Sequence, residues 1–155
     1  MAQNKNKNKN KISVKNRKAS YEFELLEEFE SGIVLFGSEV KSIRAGNVSI
    51  SEAYCFIDKG EVFIKNMHIQ EFKNAVNQHE PLRVRKLLLT KKEINKIYTE
   101  LKNKGLTLIP TYLYNKKGLI KLKISIAKGK KLFDKRDSIK AKDIKRETSR
   151  ELSSM

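Results

Sequence analysis

From 120 to 126 the chain alternates without interruption, with Ile120, Leu122, Ile124 and Ile126 on one side and Lys121, Lys123 and Ser125 on the other. Successive side chains of a strand point to opposite faces of its sheet, so this period of two demands a strand with one apolar and one cationic face. A helix would scatter the lysines around its circumference. Any fold of this chain must bury one side of a sheet and leave fixed positive charge on the other.

Partners for such a strand exist only in the middle of the sequence. Residues 1–18 hold seven Lys or Arg and no acid, with an Asn-Lys alternation through Lys11. Residues 128–155 hold ten basic and five acidic residues, and their sizeable apolar groups are Leu132, Phe133, Ile139, Ile144 and Leu152. Neither end carries enough apolar surface to offset the entropy of ordering itself. The expected organisation is a flexible basic arm over 1–18, a packed domain over 19–127, and a basic tail over 128–155 that is disordered when free. A tail helix from about Ile139, helped by Asp143 with Arg146 and Glu147 with Arg150, would be marginal alone.

Within the packed domain, Tyr21, Phe23 and Leu25 alternate with Glu22 and Glu24 and predict a half-buried strand. Ser31-Gly32 predicts a turn into a short apolar strand at 33–36. A short helix is expected over 38–45, capped by Ser38 and closed by Gly46. Residues 48–57 read as one long strand, and Asp58-Lys59-Gly60 as the hairpin turn into 62–64. Between 65 and 82 the pattern dissolves into a long loop, and 84–89 is a strand. Thr90 and Glu93 form a capping box, after which Ile94, Ile97, Tyr98 and Leu101 keep helical spacing until Gly105. Residues 106–114 pair with the alternating strand across a turn at 115–118, with Pro110 marking an edge or a bulge. Six or seven short strands with one long capped helix before the last hairpin predict a mainly β fold with a few helices. An OB-like antiparallel Greek-key barrel is the expected member, with a sandwich as the competing architecture.

Charge then narrows function. A formal net charge of +16, with 34 basic residues against 18 acidic, points to a polyanion held through counterion release. Nucleic acid comes first and an anionic membrane surface second, but no run approaches the roughly 18 apolar residues of a membrane span. The N-terminus has no apolar segment of the secretory kind, and the single Cys55 excludes an intramolecular disulfide, so a reducing, cytoplasmic setting is expected. His68, His79 and Cys55 form no ligand-spaced cluster, and neither a phosphate-binding glycine loop nor a nucleophile elbow is present. Glu22, Glu24, Glu27, Glu28 and Glu30 read as the solvated face of a strand rather than a metal site. No catalytic residue, metal or cofactor is therefore expected.

The polyanion signal is distributed over two basic segments. One is Arg83, Arg85, Lys86, Lys91 and Lys92; the other runs through Lys116, Lys117, Lys121, Lys123, Lys128, Lys130 and Lys131. Cations on strand faces and loops suit phosphate contacts, which position an RNA without reading its sequence. Tyr112, Tyr114 and Phe72 are either core residues or platforms for unpaired bases. Cys55, between Tyr54 and Phe56 in a strand, reads as a buried structural thiol.

Four stretches in register resemble the bacterial SsrA-binding protein family, small protein B. They are Asn16-Arg17-Lys18-Ala19, Gly37-Ser38-Glu39-Val40-Lys41-Ser42-Ile43-Arg44, Arg85-Lys86-Leu87-Leu88-Leu89, and Ala127-Lys128-Gly129-Lys130-Lys131-Leu132-Phe133-Asp134-Lys135-Arg136 with Ile139-Lys140. The resemblance extends collinearly from about Asn16 to about Glu147. It implies a protein without catalytic chemistry that binds the tRNA-like domain of transfer-messenger RNA (tmRNA). It further implies delivery of that RNA to stalled ribosomes for trans-translation, that is, ribosome rescue and peptide tagging. Elongation factor Tu would accompany the alanyl-charged tmRNA, the protein would bind as a monomer, and no membrane would be involved.

The residues that the resemblance places on the tmRNA are Asn16, Arg17, Lys18, Glu30, Glu39, Lys41, Arg44, Asn47, Lys86, Leu88, Lys121 and Lys123. Those it assigns to a tail that senses the vacant mRNA channel near the decoding centre, becoming helical among rRNA phosphates, are Lys128, Gly129, Lys130, Lys131, Asp134, Lys135, Arg136, Lys140, Arg146 and Glu147. Two departures stand out: Thr90 replaces an Asn common in relatives, and Ile144 replaces a Trp. The alternative reading from the residues is a general single-strand RNA-binding OB module of cold-shock type.

Overall fold

The computed structural model describes residues 11–73 and 78–130. In chain order the elements are β1 (Ser13–Lys15), α1 (Arg17–Glu22), β2 (Phe23–Ile33), α2 (Gly37–Arg44), β3 (Val48–Ser49), β4 (Tyr54–Asp58), β5 (Glu61–Lys65) and β6 (His68–Ile69). They continue with β7 (Arg85–Leu88), α3 (Lys91–Leu101), β8 (Leu106–Lys116) and β9 (Leu119–Gly129). All strand pairs are antiparallel.

Seven strands form one sheet in the order β1-β8-β4-β5-β7-β2-β9, and β8 pairs with β9 as well. That second pairing closes six strands into a ring and leaves β1 as an added strand on β8. The seam is narrow on one side, where Cys55 of β4 meets Leu108 of β8 as a single registered pair. Elsewhere β9 is held along its length, by β2 from Gly129 to Lys121 and by β8 from Lys128 to Leu119. Two irregularities provide the bending that closure needs, one in β2 between Leu25 and Glu28 and one in β8 between Pro110 and Tyr112. Proline has no N–H for a ladder, so a bulge is where it costs least.

The strict alternation of β9 is realised as expected on the inside. Leu122, Ile124 and Ile126 are at most 1% exposed and pack with Val62, Ile64, Leu87, Leu108 and Leu113 in the main core. Ile97 of α3 and Ile43 of α2 plug the same cluster. The outer face is less uniform than its sequence suggests, because Ser125 and Ala127 are also buried. Ala19 of α1, Ile109 and Phe23 cover that end of the outer face. Ser125 Oγ lies 3.0 Å from the carbonyl oxygen of Glu27 and donates to it, which pins β9 to β2 where the latter's register shifts.

Several local expectations need correction. Tyr21 belongs to α1, so β2 begins at Phe23, and the shift at Leu25 leaves Leu25 and Leu26 exposed. Ser31-Gly32 is not a turn but the continuation of β2. Gly32 sits there because a Cβ would approach the Leu88 Cβ to 3.2 Å. The supposed long strand over 48–57 is two, β3 and β4, because Val48 and Ser49 leave the ring to pair with Ile69 and His68 of β6. The helix expected over 38–45 is α2, but Phe36 is its N-cap, and the Glu39 carboxylate accepts the Phe36 N–H at 2.8 Å. Ser38 instead meets His79 Nδ1 at 2.9 Å.

The segment expected to be a free arm to residue 18 is bound from residue 12, where Ile12 enters the main core and its N–H donates to Asn115 Oδ1 at 3.0 Å. β1 pairs with Tyr112, Leu113 and Tyr114, and Asn16 caps α1 through Ala19 N–H at 3.1 Å. The Asn16 side-chain amide also donates to the Pro110 carbonyl at 2.8 Å, so the bulge in β8 is the socket for this segment.

The turns at Lys59-Gly60 and Lys117-Gly118 both take positive φ, as tight hairpins require, and the α3 capping box at Thr90 and Glu93 forms as expected. Leu122 touches no solvent, so Leu122→Ala should cost about 2–5 kcal/mol of unfolding free energy. Urea denaturation followed by circular dichroism measures it; a loss below about 1 kcal/mol would mean that the inner face of β9 is not the packed centre.

Candidate nucleic-acid interface

The outward face of β9 runs between two concavities. One, of about 280 Å3, is lined among others by Gly32, Arg44, Leu88, Leu119 and Lys121. Its base is apolar, with Leu88 and Leu119 each more than half exposed, and Arg44 and Lys121 supply cations at its edge. The other, shallower and about 550 Å3, includes Lys15, Asn16, Arg17, Tyr112 and Lys123. Lys121 and Lys123 are successive outward positions, about 7 Å apart along a strand, so the two hollows adjoin as one cationic track.

An aromatic pair lies on this same outward face. Tyr112 and Tyr114 stack with ring centroids 5.0 Å apart, and the Lys123 ammonium sits 5.6 Å from the Tyr114 ring centre. Their Cα partners across the hairpin are Lys123 and Lys121. Neither tyrosine is a core residue; between them Leu113 points inward and is fully buried. Phe72 is half-buried beside the Lys41 ammonium at 5.6 Å.

Acids of β2 border the track. Glu28 is 3.3 Å from Lys123, and Glu30 is 3.7 Å from Lys116. The Tyr114 hydroxyl has no partner at full hydrogen-bonding distance, yet it is near enough to be the main cause that holds the Glu30 carboxyl below its ordinary range. Lys116 and Lys121 pull the same way. Glu28 and Glu30 are thus ion-pair partners of strand lysines, while Glu27 pairs with Lys96 of α3 at 2.5 Å.

Of the residues assigned to RNA by resemblance, Arg44, Leu88 and Lys121 share the first hollow, and Asn16, Arg17 and Lys123 share the second. Asn47 is exposed just beyond α2, and Lys41 is exposed within it. Lys18 is tied to Glu52 at 2.5 Å, and Lys86 to Glu61 at 2.9 Å. Lys128 and Gly129 end β9 in exposed positions, and Lys130 N–H donates to the Glu22 carbonyl at 2.9 Å. Lys131, Asp134, Lys135, Arg136, Lys140, Arg146 and Glu147 lie outside the described residues. Lys15 and Leu119 joined the track without having been singled out; β1 carries no periodicity that could have revealed the first.

Two of the assigned residues are structural. Asn16 is only 8% exposed, its amide spent on Pro110, Ile50 and the cap of α1. Glu39, which the resemblance places on the tmRNA, is wholly buried in this fold. Its carboxylate receives Arg85 Nε on one oxygen and Arg83 Nη2, at 2.6 Å, on the other. Arg85 is equally buried and also donates to the Met67 and Pro81 carbonyls, while Arg83 lies 4.0 Å from the Phe36 ring centre. These arginines, read from sequence as phosphate contacts, instead clamp α2 to the segment before β7.

Cys55 is buried and free, its thiol pushed up by desolvation, as expected of a structural cysteine. His79 is buried between Ser38 and the Ile69 carbonyl. Among the described residues no group of three or more His, Cys, Asp or Glu could hold a metal ion. No helix among them is long and apolar enough to cross a membrane.

A closed ring of antiparallel strands that carries an adjoining pair of cationic hollows defines a small polyanion-binding protein. The family model for SmpB protein matches residues 13–154. The SsrA-binding protein of Cytophaga hutchinsonii is 52% identical over 141 residues, covering 90% of this chain and 92% of that protein. The SsrA-binding protein of Wolbachia pipientis subsp. Culex pipiens is 53% identical over 142 residues, covering 90% and 95%. A solved chain described as "tmRNA-SmpB: a journey to the center of the bacterial ribosome" superposes with a TM-score of 0.66 at 38% identity, covering 78% of this chain and 86% of that one. The chain belongs to the SmpB family of SsrA-binding proteins.

The buried cluster sets an acid limit on the fold. Burial by itself would raise the Glu39 carboxyl, but the Arg83 guanidinium, the Phe36 N–H and Arg85 outweigh it and hold the group below its ordinary value near 4.5. A carboxyl lowered in the folded state stabilises fully above the unfolded value, and that stabilisation fades as pH falls through the folded one. Glu39→Gln should therefore cost about 3 kcal/mol at neutral pH by leaving buried guanidiniums undercompensated. The gap to the wild type should narrow as urea midpoints are taken to progressively lower pH below 4.5. A gap that does not depend on pH would show that shape, not charge, is what Glu39 contributes.

Proposed function

We propose that the ring is an OB-like barrel that binds the tRNA-like domain of tmRNA and carries it to stalled ribosomes for trans-translation, without catalytic chemistry of its own. The observation that carries this reading is the track on β9, where Arg17, Arg44, Lys121 and Lys123 border two adjoining hollows on a chain of the SmpB family. Fixed cations around an apolar floor suit a folded RNA elbow, with phosphates at the rim and unstacked bases against Leu88 or the tyrosine pair. Glu30, placed among Lys116, Lys121 and Tyr114, orients those cations.

The basic tail over 128–155 is the element that enters the vacant mRNA channel. Lys128 and Gly129 launch it from the exposed end of β9, and the residues from Lys131 to Glu147 acquire order among rRNA phosphates near the decoding centre. Elongation factor Tu brings the alanyl-charged complex in, and the protein acts as a cytoplasmic monomer. Solvent-facing positions for most of the assigned cations among the described residues support the fixed face of this division.

The central test measures binding of the tRNA-like domain by the full chain with Arg44→Glu and Lys121→Glu combined. Affinity should fall at least tenfold at about 0.15 M salt, with a flatter salt dependence, because two phosphate contacts are lost. An equal-length unstructured RNA should compete poorly against the wild type; equal retention would favour the general single-strand module instead. Deleting residues 132–155 should leave that affinity within about twofold and abolish peptide tagging of stalled chains in a reconstituted translation system. Tagging that survives the deletion refutes the tail mechanism.

A further inference from the structure

The outer side of α3 takes no part in the hollows or the core, yet it opens on two lysines that the helix dipole disfavours. Lys91 and Lys92 share the first turn with the capping-box acid Glu93, where the helix dipole favours acids over lysines; the last turn has no cation, and Lys102 follows as the C-cap. Neither Lys91 nor Lys92 has an ion pair among the described residues. Lys91, Asn95, Tyr98 and Lys102 follow one another at helical steps of four, three and four, and all are exposed. Tyr98 is 53% exposed although it follows the apolar spacing of the helix, and the Lys102 ammonium rests 4.7 Å from its ring centre. The side-chain amide of Asn95 and the hydroxyl of Tyr98 have no hydrogen-bond partner among the described residues.

The stripe is thus a cation at each end with polar donors between, over a length of about 16 Å at 1.5 Å per residue. It also has a defined starting point. β7 ends at Leu88, inside the first hollow, and α3 begins at Lys91. From there the helix leads away, towards Leu106 and its partner Lys128 at the far end of the β8–β9 hairpin.

We infer that the Lys91-Asn95-Tyr98-Lys102 stripe of α3 is a second contact surface, a track for an A-form RNA duplex that continues outward from RNA seated in the Leu88 hollow. The inference rests on the RNA-binding reading of that hollow. The terminal lysines reach phosphates on the two sides of the wide, shallow minor groove, and Asn95 with Tyr98 meets the 2′-hydroxyls displayed between them. Contacts of this kind read shape rather than sequence, and they prefer RNA to DNA because only RNA carries the 2′-hydroxyl. Stacking on Tyr98 holds Lys102 in place before the RNA arrives, so less side-chain freedom is lost on binding.

The experiment compares the wild-type chain, Lys91→Glu with Lys102→Glu, and Arg44→Glu, using the labelled tRNA-like domain across a salt series. The α3 double variant should bind about tenfold more weakly at about 0.15 M salt, with a log–log salt slope shallower by about 1.8, the equivalent of two phosphates. Its thermal midpoint should stay close to that of the wild type, because Glu at 91 suits the helix dipole about as much as Glu at 102, on the C-cap, opposes it. Weaker binding by a protein no less stable is not what a merely structural role would give. An unlabelled RNA duplex of about 16 base pairs should displace the tRNA-like domain from the wild type better than DNA of the same sequence. That advantage should disappear with Asn95→Ala and Tyr98→Phe combined.

Unchanged affinity and slope in the α3 double variant, with Arg44→Glu weakened, would overturn the α3 track and leave the hollow as the RNA site. Unchanged binding in both would instead defeat the RNA reading of the hollow. Equal competition by DNA would also overturn the inference, since the stripe would then be a generic polyanion surface.

Discussion

The position of β9 between β2 and β8 is the constraint on which the molecule depends. Every residue of that strand from 119 to 129 has a neighbour on the β8 side or the β2 side, most of them on both. A strand whose edges are both satisfied is free to assign its two faces to opposite tasks. Its inner residues close the ring, and its outer lysines stand on a backbone that cannot yield to them. An exposed lysine on a loop would also meet a phosphate, but it would lose more conformational freedom in doing so. The functional value of the ring is that this cost is met during folding.

The same principle explains why several polar residues that resemble ligands turn out to be fasteners. Glu39, Arg83 and Arg85 form a cluster in which the acid and one arginine are fully buried. Burying such charges is expensive unless each is paired and otherwise hydrogen-bonded, and the Met67 and Pro81 carbonyls complete the set around Arg85. The cluster joins α2 to the approach of β7, which brings Arg44 and Leu88 to the same hollow. Asn16 does the equivalent work on the other side, joining β1 and α1 to the bulge at Pro110 and so placing Arg17 beside Lys123. Residues held largely within the fold thus fix which surface residues meet.

The period-two strand, the capped helix α3 and both hairpin turns were legible in the sequence because each rests on local rules: alternation, a capping box, glycine at positive φ. What was not legible depends on distant partners. Ser31-Gly32 has turn composition, but it continues β2 because Leu88 packs against the bare Cα of Gly32 from another strand. β1 and α1 contain little apolar surface and are ordered by a socket that exists only once β8 has bulged. Buried Arg85 and Glu39 defied the expectation that such residues are solvated, and no local pattern signals a buried pair whose members lie 46 positions apart. The candidate interface was half legible: its lysines stand out in the sequence, whereas the pairing of hollows depends on strand register, which no local pattern encodes.

The acids beside the track complete the physical picture. Lys121 and Lys123 leave the backbone about 7 Å apart on one face, and two ammonium groups at that separation would repel by about 0.6 kcal/mol in water, and more near a low-dielectric surface. Glu28 and Glu30, on the adjacent strand, offset that repulsion while no polyanion is present. Exposed pairs of this type contribute little to stability, about 0–1 kcal/mol each, so they are weak enough to rearrange when phosphate arrives. A face made only of lysines would bind more strongly and less selectively, and would strain the ring in the unbound state. Acids interleaved with the cations trade some electrostatic affinity for a surface that prefers a partner whose shape matches the hollows, which is what a protein surrounded by other RNA requires.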